Sequence, residues 1–460
     1  MSRDRGHHDL WPGLLALGVF AVSLWAQPSA LVGVFYDDGI YVVLAKALAE
    51  GEGYRYLHLP GAPPGVHFPI LYPAVLSFLW RMWPAFPQNV ALFQLFDSAA
   101  LAVAAGLIAK HARRWNVPTV VQYVTLPLAF VAFPLLTIVG VRFSEPLFLA
   151  LLAGALVLAD RKEVSVARGA AAGLLAGLAA LTRSIGIAAV VGIPVALWLG
   201  RNRKPAVAAL IGSVALLGPW VIWLFLHGDA VDSRIASNYG TYLAAAGQTG
   251  LLGILGGIDF RVFAPLARLT LPAVPPVIWL ALAGLLATAV VWGGVAVASR
   301  VPVFLTTLGF YLAIVTVWPF TPDWIVWIVL PWLAMLAVVG SMAAWRKGAW
   351  TRWPVVVLGL GVLVGYPKRE AVSLWHRQFA ATAEGITVPF SVLVPAIMAE
   401  LEPSAVVASE DEALVYLYTG RHSVPSYLFR WSGRSTTVLP RDSAVGFMCD
   451  TGVTHLALSG

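Results

Sequence analysis

Few side chains in this 460-residue sequence could do chemistry, and the densest group lies in Phe35–Tyr56, FYDDGIYVVLAKALAEGEGYRY. Asp37 and Asp38 stand side by side at the head of a helical stretch. An Asp there is a favoured helix cap, and its charge suits the positive end of the helix dipole. Two acids flanked by Phe35, Tyr36 and Tyr41 exceed what a cap needs, and a carboxylate pair can move a proton or hold a cation. Elsewhere His67, Arg142 and Arg183 offer positive charge, Glu145 opens an apolar run, and Asp97 sits about eight residues into another. Plainer readings stand beside these. Long basic side chains snorkel to a bilayer surface, a lone His beside a Pro-rich turn is commonly solvated, and Glu145 could cap its own helix.

The elements that must position these groups follow from composition. Residues AVILMFWYC make up 59% of the chain and charged residues 12%, about half the share in a soluble domain. Mean hydropathy is +0.80. So few charges cannot cover a water-exposed surface of this size, so the chain is an α-helical polytopic membrane protein. The 30 Lys and Arg against 23 acids leave +7, but the basic residues sit in short clusters between apolar runs. That is the positive-inside pattern and excludes nucleic acid as the partner. The single cysteine, Cys449, excludes an intramolecular disulfide and a Cys-based zinc site.

About eleven spans are expected, at 10–27, 89–109, 117–135, 143–159, 169–182, 185–200, 206–226, 276–298, 302–319, 325–343 and 353–366. The first follows basic Arg3 and Arg5 and has no small-residue cleavage site after it, as in a retained signal anchor. With a cytoplasmic N-terminus, the inner loops are Lys110–Arg114, Arg161–Arg168, Arg201–Lys204, Arg300 and Arg346–Arg352, all rich in basic residues. The outer loops are 28–88, 136–142, the Arg183 corner, 227–275, 319–324 and the C-terminal tail from about Pro367. They hold most of the acids, among them Asp229, Asp232, Asp259 and Asp323. This parity requires Pro69–Pro84, an apolar run with three prolines and Arg81, to be an interfacial helix rather than a span. With Asp38–Glu50 it makes the first outer loop two helices lying on the membrane.

The tail from about Pro367 is richer in charge. Ser404–Pro425 reads as strand, acidic turn, helix and Gly420, and THLALSG at the end as another strand. The expected division is therefore 1–366, a membrane part with its outer loop 28–88, and 367–460, a small extracytoplasmic α/β domain.

In these residues the chain resembles the GT-C fold glycosyltransferases, specifically bacterial relatives of dolichyl-phosphate-mannose-protein mannosyltransferases. The resemblance rests on Asp37-Asp38 after the first span, Glu50-Gly51-Glu52-Gly53-Tyr54 ending the following helix, and Phe68-Pro69-Ile70-Leu71-Tyr72-Pro73 opening the second. It continues through Phe143–Phe148 around Ser144-Glu145, Gly173–Gly186 around Thr182-Arg183, and Leu414–Pro425, in family order over about 420 residues. One departure stands out: Trp324 in Asp323–Pro331 occupies the place of an Arg common in the family.

The resemblance implies a sugar donor on a polyprenyl phosphate and a hydroxyl acceptor on a lipid, glycan or protein outside the membrane. It implies Asp37 as base, with Asp38 orienting it or holding an acceptor or metal. Arg142, Arg183 and His67 are the candidates for the leaving phosphate, Glu145 is a second acid near the site, and Tyr41 and Tyr72 complete it. No cofactor is certain, and a divalent cation at the Asp pair stays open, as do the sugar and the acceptor. The competing reading is a transporter or lipid-carrier flippase, which needs ionisable residues through the midplane. Asp97 is the main one here, and with Gln94 and Ser98 nearby it could be a neutral hydrogen-bonding group between helices.

Overall fold

The computed structural model describes residues 5–242, 260–271, 274–318, 323–432 and 435–458. Asp259 and residues 319–322 of the expected outer loops lie outside the described residues. Each expected span coincides with helix. Four are long and apolar enough to cross a bilayer: Val90–Trp115 (its last three residues a 3-10 turn), Arg203–His227, Pro276–Val297 and Ala349–Trp375. The expected span 117–135 is a pair, Thr119–Phe130 and Phe133–Gly140, bent by 48°. Pro134 causes the break: without an N–H it cannot bond back to the preceding turn. Leu10–Trp25, Glu145–Ala159, Val166–Thr182, Ser184–Leu199 and Pro302–Val317 are shorter apolar helices, and Leu330–Lys347 completes the set.

One short helix sets the depth of the site. Glu145–Ala159 has 15 residues and its neighbour Val90–Ala112 has 23. The two are tied at one end, where His111 Nε2 lies 3.0 Å from Asp160. The eight-residue difference, about 12 Å at ~1.5 Å per residue, therefore appears at the other end. Glu145 starts in a recess, at about the depth of Asp97. Helices Asp37–Glu50 and Leu71–Met82 sit over that recess, and Tyr72 donates to both oxygens of Asp97 at 3.0 Å. Asp97 is thus held by a tyrosine from the covering loop. Helix Asp37–Glu50 is apolar on nearly every side and is buried accordingly, Ile40 to Ala45 being at most 2% exposed. It departs from the expected interfacial helix with a wet upper face, because the tail covers it.

Small residues hold the next layer. Gly169, Gly173 and Gly177 recur every fourth residue along Val166–Thr182 and face Arg203–His227. A Cβ on Gly173 would stand 2.0 Å from the Ala209 carbonyl. Such spacing lets two membrane helices approach to backbone contact, and Ser213 Oγ donates to the Gly173 carbonyl at 2.9 Å.

The C-terminal part differs from the expected pattern in its first forty residues. Helix Ala349–Trp375 runs straight through Pro367. A proline removes one helical hydrogen bond, and the following turns are anchored by Arg369 on the Arg268 carbonyl and Glu370 on the Phe133 N–H. Helix Gln378–Glu400 is again long and apolar enough to cross a membrane. Its contacts keep it at one end of the molecule: Arg377 caps the Trp25 and Gln27 carbonyls, Thr387 meets Leu31, and Arg421 holds the Leu401 carbonyl. The strand–helix–strand pattern then appears as β1 (Val406–Ser409), helix Glu412–Thr419 and β2 (His422–Pro425), with β3 (Phe429–Ser432), β4 (Ser435–Val438) and β5 (His455–Ala457) following. Strands β2, β1 and β5 form a parallel sheet in that order, and β3 pairs with β4 as an antiparallel hairpin. This unit rests directly on the carboxylate pair, with Gly33 and Gly39 against Leu414 and Ala413 of helix Glu412–Thr419.

Candidate active site

The local chain at the Asp pair is strained. Asp37 N donates to the Phe35 carbonyl at 2.7 Å across Tyr36, whose φ of 63° and ψ of −69° make a γ-turn of the rare positive-φ kind. An aromatic residue adopts such a turn only where its surroundings impose it. Asp38 imposes it from one side. Its two oxygens accept the Gly33 N–H at 2.7 Å and the Phe35 N–H at 3.0 Å, pinning the loop that delivers Asp37. A positive φ recurs at Arg142, at 53°, just before the recessed Ser144-Glu145.

A cavity of roughly 430 Å³ opens between the membrane helices and the tail. Asp37, His67, Glu145 and Arg183 line it together, with Phe35 and Tyr36 from the first loop, and Ser237, Asn238 and Tyr242 from the loop after His227. Phe143, Trp318, Trp324 and Ile325 supply its apolar wall, and the tail contributes Glu410, Asp411, Tyr427, Phe429 and Trp431. Its size suits a small-molecule site with a few convergent polar groups.

Burial raises the Asp37 carboxyl to about 7; Arg183 opposes the rise, while Glu145 and Asp38 add to it. Asp37 is therefore poised between acid and base near neutrality. Arg183 is the only Lys or Arg among the described lining residues. It pairs with Glu145 at 2.8 Å and donates to Ser144 Oγ at 3.3 Å, a hydroxyl also shared with Tyr41 at 3.1 Å. His67 is neutral: burial lowers it to about 4, and its Nδ1 donates to the Gly240 carbonyl at 2.6 Å, leaving the Nε2 lone pair as an acceptor.

The remaining sequence-predicted residues lie behind the cavity. Asp38 is fully buried, and burial lifts it to about 6 against the Gly33 N–H and Arg142. Arg142 is 1% exposed and bonds the Gly140 carbonyl. Among the described residues its Nε and Nη1 have no partner. Tyr72 reaches Asp97, and its ring meets Tyr41 edge-on at 5.0 Å. Each oxygen of Asp38 accepts a backbone N–H, and among the described residues no group of three His, Cys, Asp or Glu side chains is placed to hold a metal ion.

Sequence reasoning passed over Asp411, whose carboxyl burial raises to about 7, with Asp38 and Glu410 adding to the rise. Its signal was the run of acids Glu410–Glu412, readable from sequence as a turn between strand and helix.

With a recessed short helix, a folded first loop and a tail sheet above them, the chain has the GT-C membrane fold. The crystal structure of ArnT from Cupriavidus metallidurans bound to undecaprenyl phosphate shares it at a TM-score of 0.56 and 15% identity, over 97% of this chain and 89% of that one. The apo form of that ArnT gives 0.53 at 15% identity, over 90% and 84%. The Archaeoglobus fulgidus oligosaccharyltransferase tethered with an acceptor peptide gives 0.50 at 10% identity, over 90% of this chain and 64% of that one. At these identities the likeness is one of fold. No protein-family model matches the sequence, and comparison with curated proteins finds no match.

Proposed function

We propose that the chain is an inverting glycosyltransferase that moves a sugar from a polyprenyl-phosphate donor to a hydroxyl acceptor at the outer face of the cytoplasmic membrane. The observation that carries this reading is one cavity holding a carboxylate poised near neutrality, Asp37, and a half-buried guanidinium, Arg183. The acceptor oxygen attacks the anomeric carbon as the bond from that carbon to the phosphate oxygen breaks. The hydroxyl proton goes to Asp37, and the departing phosphate keeps the bonding pair beside Arg183. Attack opposite the leaving group inverts the anomeric centre. The fold shared with an ArnT structure that binds undecaprenyl phosphate supports a donor of that lipid class.

The deciding measurement is incubation of membranes bearing the protein with radiolabelled polyprenyl-phosphate sugars, following label leaving the lipid. Label that stays on the lipid across a panel of hexose and pentose donors would sink the reading, and so would ion-coupled uptake of a solute into vesicles.

The orientation has its own test. Cys449 is the only cysteine and is exposed in the tail. With the tail extracytoplasmic, a membrane-impermeant maleimide is expected to label intact cells or spheroplasts at Cys449. Labelling only after lysis would reverse the proposed topology.

A further inference from the structure

The reaction above uses the membrane side of the cavity and leaves the tail's contribution unexplained. Tyr427, Phe429 and Trp431 fall at alternate positions leading into and along β3, and all three line the cavity. Successive strand side chains point to opposite faces, and Leu428 between them turns inward, 3% exposed. The Tyr427 and Phe429 rings lie 6.0 Å apart and near parallel, and Trp431 meets Phe429 edge-on at 5.8 Å. Aromatics on a hairpin ordinarily pack against the facing strand. Here the facing residues are Val438 for Phe429 and Thr436 for Trp431. Val438 is 67% exposed and Thr436 is exposed too, so the hairpin does not close over its own rings. The strip instead borders the space reached by Asp37 and, from the same tail, Asp411.

We propose that Tyr427, Phe429 and Trp431, with Asp411 beside them, form the acceptor subsite and that the acceptor is a glycan. Sugar rings carry apolar C–H faces that lie flat on aromatic rings, while their hydroxyls donate to a carboxylate. A strip of this kind could also anchor in the bilayer interface, where Tyr and Trp gather. The acids Glu410 and Asp411 beside it oppose contact with an anionic bilayer surface and favour a neutral polyhydroxylated ligand. This inference rests on the transferase reading for the word acceptor; the glycan subsite itself is tested separately.

The test titrates short neutral manno-, gluco- and galacto-oligosaccharides against the full chain in nanodiscs, read by ligand-observed NMR. At least one series is expected to bind. Trp431→Ala should weaken it roughly tenfold, Trp431→Phe should retain most of the affinity, and Asp411→Asn should weaken it less. Phe429→Leu, which keeps apolar bulk without a ring face, gives the same comparison if Trp431→Ala misfolds. No binding by the wild type, or wild-type affinity kept by both Trp431→Ala and Phe429→Leu, overturns the subsite. Quenching by brominated lipids that is present in the wild type and lost in Trp431→Phe would place Trp431 in the bilayer and overturn it as well. Undecaprenyl-phosphate binding by the wild type is measured in parallel. If it is absent while glycan binding depends on Trp431, the transferase reading falls and the glycan subsite stands.

Discussion

Asp37→Asn is expected to lower sugar transfer by roughly a hundred- to ten-thousand-fold, the usual worth of a positioned general base, with little change in stability or membrane insertion. The substitution keeps the shape of the side chain and the γ-turn at Tyr36, because Asp38, not Asp37, accepts the Gly33 and Phe35 N–H groups. A change at Asp38 would therefore lower stability together with rate, and the two acids separate on that ground. The pH dependence follows from the sign of the shift. The Asp37 carboxyl is raised to about 7 and must be ionised to accept a proton. Transfer is expected to rise about tenfold per pH unit below that value and to level above it. Asp411 titrates in the same range, so the ascending limb should persist in Asp411→Asn and disappear with Asp37. Steady-state transfer by purified protein between pH 5 and 9 checks this. An Asp37→Asn variant with full activity, or a flat wild-type profile, would remove Asp37 from the base role.

Much of the fold was legible because the constraints acting on it are global. A charge share of 12% excludes water as solvent, and the basic clusters at Lys110–Arg114 and Arg201–Lys204 punctuate apolar runs that satisfy their own backbone in lipid by forming helices. Rejecting Pro69–Pro84 as a span was the decisive step. In the structure that run becomes the short helix Leu71–Met82 with Tyr72 on Asp97. Length judged less well after Pro367, where a breaker residue proved weaker than the packing of Arg369 and Glu370.

The site was legible only by halves. Arg142 and Arg183 look alike in sequence, each basic and each beside a span end. The structure buries the first behind Asp38 and turns the second into the cavity, because the direction of a side chain at a corner depends on its neighbours rather than on hydropathy. Asp411 lies more than 370 residues from Asp37, and no periodicity could join them. The contact of Gly33 with Leu414 does. Trp324, conspicuous as a departure from the family pattern, lines the cavity. That leaves Arg183 without a second described cation and increases what depends on it.

Arg183→Ala should therefore have the second large effect, on two separable quantities. The first is stability. Glu145 is 3% exposed, its Oε2 has no partner among the described residues, and Arg183 is its counter-charge at 2.8 Å. Removing the guanidinium strands a buried carboxylate, at a cost of about 3 kcal/mol. The second is phosphate binding, where loss of the one described cation in the cavity is expected to weaken undecaprenyl phosphate by at least about a hundredfold, the scale of a charge-assisted bidentate contact. Arg183→Lys should recover only part of either, since a point charge cannot hold Glu145, Ser144 and a phosphate in one fork. The double variant Glu145→Gln/Arg183→Ala separates the two effects. With no stranded charge it should regain most of the thermal stability in detergent while undecaprenyl-phosphate affinity stays low. Affinity that returns with stability would show that Arg183 serves the fold alone, and the phosphate would then have to be held by a group other than this guanidinium.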